Sequence, residues 1–147
     1  MAIASRRAET IWEGNLARGG GSVSGDSGAV DRLPVTWAAR TSEPGGKTSP
    51  EELAAAAHSS CFSMALALRI AEHGYDAKRL TVGSVVTLDE VDGAPTVVSS
   101  EIEVRASVPG LGREEFDAAV DEAAQLCPIS RLFMGARVSV RAELDEG

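Results

Sequence analysis

The chain has 147 residues, 44% hydrophobic and 24% charged, with a formal net charge of −8. That length suits a single domain, 1–147, able to bury a real core. The acidic balance and the absence of a basic patch disfavour nucleic acid, whose phosphates need clustered Lys and Arg. Two cysteines are too few for a disulfide scaffold, and without a Cys-x-x-Cys pair a zinc site of His58, Cys61, His73 and Cys127 is disfavoured.

Met1 to Arg7 carries charge with no apolar run behind it, which is not a signal-peptide pattern. A cytoplasmic location is expected, where standing disulfides are rare and many that form are catalytic or sensing. Ala8 to Gly14 reads as a first strand, Gly19-Gly20-Gly21 as a tight turn into Ser22–Ser24, and Leu33 to Ala39 as a third strand. The glycines between Arg18 and Gly28 lead into no helix, so they do not form a phosphate-binding loop.

Ser49-Pro50-Glu51-Glu52 is a helix start: Ser49 caps, Pro50 takes the first helical position, and Glu52 completes a capping box. The helix runs to Glu72 or His73 and stops at Gly74. It is apolar nearly all round, which predicts a central position with structure on several sides. His58, the neighbouring serines and the flanking charges favour a buried helix over a membrane span. Leu80 to Val91 and Thr96 to Val108 alternate as strands about an Asp92-Gly93 turn, with Ile102, Val104, Ala106 and Val108 on one face. A helix over Arg113–Leu126 follows, then Pro128, a short helix to about Met134, and a last strand over Arg137–Leu144. The order implies an α+β fold with a mostly antiparallel sheet.

The chemistry rests on the thiols, because thiolate is a nucleophile and thiol is not. Cys127, before Pro128, has a helix N-terminus at hand. Cys61, deep in the long helix, has no such help, and burial would raise its pKa. A cation must reach it if it is reactive. His58 shares its face, and Arg40, which never loses its charge, is the better candidate. The competing possibility is inert packing, since cysteine is among the most buried residue types. A Ser-His-Asp hydrolase lacks its G-x-S-x-G turn.

The run Ser49-Pro50-Glu51-Glu52-Leu53-Ala54-Ala55-Ala56-Ala57-His58-Ser59-Ser60-Cys61-Phe62-Ser63-Met64-Ala65-Leu66 resembles the central-helix motif of the OsmC family. So does Cys127-Pro128-Ile129-Ser130, and Ile11-Trp12-Glu13-Gly14 resembles the start of OsmC proper. The resemblance implies an intertwined homodimer with a mostly antiparallel sheet packed on a long central helix. It also implies a thiol peroxidase that reduces organic hydroperoxides, and H2O2 more weakly, with no metal or other cofactor and an external dithiol as reductant. Neither nucleic acid nor membrane is an expected partner.

Carried over by residue, Cys61 is the attacking cysteine, Cys127 the resolving cysteine, Glu51 the glutamate of the Pro-Glu dipeptide, and Arg40 the activating arginine. Arg18 is the alternative for that last role, because the sister branch, the organic hydroperoxide resistance proteins, takes its arginine from nearer the N-terminus. Ile129 stands where that branch usually has an aromatic, which with His58 places the chain nearer OsmC. The rival functions are a thiol-based redox sensor and a small-molecule binding module with structural cysteines.

In an unbroken helix Glu51 and Cys61 lie about 15 Å apart along the axis and point roughly 80° apart. One chain's Glu51 is therefore expected beside the other chain's Cys61, orienting the arginine there. Two helices antiparallel about a two-fold axis near Ala56 would arrange this, with Ala54 to Ala57 permitting close approach. Phe62, Met64, Leu132 and Phe133 are expected to form an apolar wall for organic peroxides.

Overall fold

The computed structural model describes residues 1–146 and comprises two compact units, one running Met1–Leu53 and the other from Ala54 onward. In the first unit β1 (Ala8–Glu13), β2 (Gly20–Gly25) and β3 (Leu33–Val35) form an antiparallel sheet in that order. A parallel bridge ties Val35 to Thr48.

Two details depart from expectation. The β1–β2 turn is made by Asn15 to Arg18, closed by Gly19 N–H on the Asn15 carbonyl at 2.7 Å. Gly20 and Gly21 are strand residues opposite Glu13 and Trp12. Gly21 answers a packing demand: a Cβ there would sit 2.9 Å from the Trp12 ring and 2.8 Å from Val35. The third strand also ends at Val35, and Trp37–Thr41 forms a short helix, α1. Thr36 caps it, its side chain accepting the Ala39 N–H at 3.1 Å. The apolar run Trp37-Ala38-Ala39 suited strand or helix, and the capping hydroxyl decides for helix.

Helix α2 (Pro50–Glu72) begins in the first unit and continues through the second as one element. Ser49 Oγ accepts the Glu52 N–H at 3.1 Å, as the start signal requires. The Glu52 carboxylate accepts the Thr48 hydroxyl instead of closing a reciprocal capping box.

The second unit adds β4 (Arg79–Val91), β5 (Ala94–Ser107), α3 (Arg113–Leu126), α4 (Pro128–Leu132) and β6 (Arg137–Leu144). β4 and β5 pair antiparallel across Asp92 and Gly93, whose φ values of 51° and 81° suit a primed hairpin turn. β6 joins the other edge of β5 in parallel, with Ile102 opposite Val140. The fold is α+β with mainly antiparallel pairing. Ile102, Val104 and Ala106 of β5 pack with Phe62, Leu66 and Ile70 of α2 and Phe116, Ala119, Val120 and Ala123 of α3. The alternate β5 residues Glu101, Glu103 and Arg105 face solvent.

α2 is not packed on several sides as its composition suggests. Although it is long and apolar enough to span a membrane, its buried residues form one stripe, His58, Phe62, Leu66 and Ile70, seated in the core of the second unit. Met64 and Leu68 are 72% and 55% exposed, and Ala56, Ala57 and Ala67 are exposed with them. A second apolar face of this helix therefore stands open in the single chain.

Candidate active site

The second unit brings the two cysteines together from opposite ends of its sequence. Both are free thiols, Cys61 half-buried on α2 and Cys127 fully buried at the junction of α3 and α4. Cys127 is the N-cap of α4. First-turn N–H groups of a helix have no partner within it, and here the Ile129 N–H acts on Cys61, favouring its thiolate. The helix-end device read for Cys127 thus serves the other sulfur.

Three influences set the Cys61 thiol. Burial pushes it up, the Ile129 N–H pulls it down by favouring thiolate, and a hydrogen bond and charge repulsion from Cys127 push it up again. The net direction is upward. The side chains acting on Cys61 include no cation.

His58 does not supply that cation. Its ring is fully buried, and burial lowers its pKa, which keeps it neutral. Nδ1 hydrogen-bonds Ser100 Oγ at 2.5 Å and Nε2 hydrogen-bonds Ser130 Oγ at 2.7 Å, so one nitrogen donates and the other accepts. Ser100 Oγ continues to Ser84 Oγ at 2.9 Å, and the Phe133 ring covers the imidazole at 5.0 Å between centroids. Ser130 stands in the Cys-Pro-Ile-Ser motif, which by itself gives it no role. Ser84 and Ser100 carry no sequence signal, because hairpin register alone brings them together.

The first unit holds the charged pair. Arg40 Nε reaches both Glu51 oxygens at 3.0 Å, and Nη2 reaches Oε1 at 2.6 Å. Arg40 and Glu51 side chains are 30% and 12% exposed. The Arg40 guanidinium also lies 5.9 Å from the centre of the Trp37 ring, within cation–π range. The pair forms within one chain. The expectation that a partner's Glu51 orients Arg40 is corrected by the α1–α2 connection, which carries Arg40 back onto the first turn of its own α2.

Arg40 also lines an apolar cleft of about 320 Å³ with Trp12, Leu16, Val23, Trp37 and Leu53. Arg18, in the β1–β2 turn, is exposed and does not line it. The apolar wall expected elsewhere is not formed: Phe62 is a core residue, and Met64 and Leu132 are exposed. No local pattern gathers the cleft residues, which come from strands, a turn and two helices, and Trp12 and Trp37 are its conspicuous members. Among the described residues no cluster of three or more His, Cys, Asp and Glu could hold a metal ion.

An α+β unit with paired free thiols beside a helix start, together with a unit holding a half-buried arginine–carboxylate pair, defines a two-cysteine protein. The chain belongs to the OsmC-like protein family, whose model matches residues 43–143. It is 35% identical over 127 residues to Peroxiredoxin OsmC of Escherichia coli (strain K12), covering 86% of this chain and 88% of that protein. It is 31% identical over 119 residues to an organic hydroperoxide resistance protein of Xanthomonas axonopodis pv. citri (strain 306), covering 80% and 81%. Among solved structures, the organic hydroperoxide resistance protein OhrB of Bacillus subtilis matches with a TM-score of 0.66 and 27% identity, covering 95% of this chain and 98% of that one. An OsmC protein of Legionella pneumophila shares the fold with a TM-score of 0.70 at 23% identity, covering 99% and 100%.

Proposed function

We propose that this protein is a peroxiredoxin-like hydroperoxide reductase that converts organic hydroperoxides to alcohols with Cys61 and Cys127. The observation that carries the reading is the pair of free thiols held together with the Ile129 N–H on Cys61. The relatives named peroxiredoxin and organic hydroperoxide resistance protein support it.

The Cys61 thiolate attacks one oxygen of ROOH and the O–O bond breaks. The departing alkoxide takes a proton and leaves as ROH, and Cys61 becomes a sulfenic acid. The Cys127 thiol then attacks that sulfur, water leaves, and a disulfide closes, for which the two Cα atoms must come within about 7 Å. An external dithiol supplies two electrons and two protons to reopen it.

Burial opposes the thiolate, so the site needs a cation. Arg40 provides it, and it also stabilises charge on the departing oxygen. The open apolar face of α2 supports a homodimer in which two such helices cross antiparallel near Ala56. Since Arg40 and Glu51 are joined within one chain, they move as a unit, and one protomer presents both to the thiols of the other. The cleft beside Arg40 suits an alkyl chain, which favours organic peroxides over H2O2.

Steady-state consumption of cumene hydroperoxide with a dithiol tests the reading. Multiple turnovers are expected, with none for Cys61→Ser. Cys127→Ser should give one turnover and then over-oxidation of Cys61, read by mass spectrometry. Stoichiometric loss without turnover would favour a sensor. Protein left unmodified by one equivalent of peroxide would end the enzyme reading.

A further inference from the structure

We propose that His58 is a positioning residue that clamps the Cys127–Ser130 turn and thereby keeps the Ile129 N–H and the Cys127 thiol against Cys61. The inference builds on the reading of Cys61 as a reactive thiol.

Helix α4 has five residues, and its N-cap makes no side-chain hydrogen bond. So short a helix does not persist by its own hydrogen bonds and must be fastened from outside. Ser130, one residue beyond the donor Ile129, is fastened to His58 Nε2 at 2.7 Å. His58 is itself fixed on its other nitrogen by Ser100, which Ser84 backs, and on its face by Phe133. The imidazole therefore ties α4 both to α2 and to the β4–β5 hairpin.

His58 also stands three positions before Cys61 on α2, a spacing that places two side chains side by side on a helix. One rigid element thus holds the attacking sulfur and the fastener of the segment that serves it. A buried imidazole with both nitrogens bonded to hydroxyls has no free site for proton transfer, so its contribution is geometric.

The test is the pH dependence of iodoacetamide alkylation of Cys61 in the full chain, read on its peptide by mass spectrometry. Thermal unfolding is recorded alongside. Ser130→Ala removes the fastening with one atom. Its alkylation midpoint should rise by about one pH unit, a tenfold loss of thiolate at fixed pH. Closure of the Cys61–Cys127 disulfide after one equivalent of peroxide should slow about tenfold through the displaced turn. In a chain that keeps Ser130, His58→Gln, whose amide can reach its hydroxyl, should retain most of both, and His58→Ala should lose them as Ser130→Ala does.

A lowered melting temperature in Ser130→Ala with alkylation midpoint and closure rate unchanged would reduce His58 to core packing and overturn the proposal. Alkylation uses no peroxide, so its outcome stands apart from whether the protein is a peroxidase.

Discussion

Cys61 sits between opposed influences: burial and the neighbouring thiol favour the protonated sulfur, and the Ile129 N–H favours the anion. A guanidinium reaching the sulfur from a second protomer would decide the balance. Arg40→Gln should therefore move the alkylation midpoint of Cys61 upward and lower peroxide reduction at pH 7 by about tenfold or more. Arg40→Lys should not restore it, because a lysine ammonium cannot reproduce the two-nitrogen grip of Nε and Nη2 on the Glu51 carboxylate. Unchanged alkylation in both variants would remove Arg40 from the site.

His58 gives a second pH signature at this scale. Burial lowers its pKa in the folded chain, so the unfolded chain takes up the proton first as pH falls. Stability from the neutral ring is full above about pH 6.5. It erodes as pH falls toward the lowered value, at no more than about 1.4 kcal/mol per pH unit. Urea unfolding at pH 7.5 and 5.5 measures this, and His58→Gln should flatten the slope; an equal slope would contradict it.

Among the elements, α3 shows how little of the core can be spared. Phe116 is fully buried, in the core cluster that α2 and β5 share with α3. Phe116→Ala should cost about 3–5 kcal/mol in chemical denaturation, a transfer cost plus a cavity cost. A loss below about 1 kcal/mol would mean that the site collapses around the missing ring.

Elements were legible where a local signal had no rival. Ser49 and Pro50 mark the start of α2, Asp92-Gly93 marks the hairpin, and the alternation of β5 matches its buried and exposed faces. Trp37 to Ala39 was not legible as helix, because three apolar residues suit either period and only the Thr36 hydroxyl separates them. The glycine cluster is ambiguous for a related reason: glycine marks turns, but it also marks close approach, and at Gly21 the Trp12 ring and Val35 supply that approach.

For the whole molecule, the exposed α2 face bearing Ala56, Ala57, Met64 and Leu68 is where a second copy is expected. Leu68→Glu should yield monomers in sedimentation velocity, with native circular dichroism and little peroxide turnover, because each site then lacks the partner's Arg40. A monomeric variant with full turnover would place the complete site in one chain.

The sequence by itself determined the periodic elements, the α+β class and the two cysteine motifs, because these depend on residue type at short spacing. Only the tertiary structure decided which sulfur receives the α4 N–H, that His58 is a neutral fastener, and that Arg40 joins Glu51 of its own chain. Those pairings join residues that lie on different elements, His58 and Ser130 being 72 positions apart. Their partners are chosen by how helices and strands pack, and no local pattern records that choice.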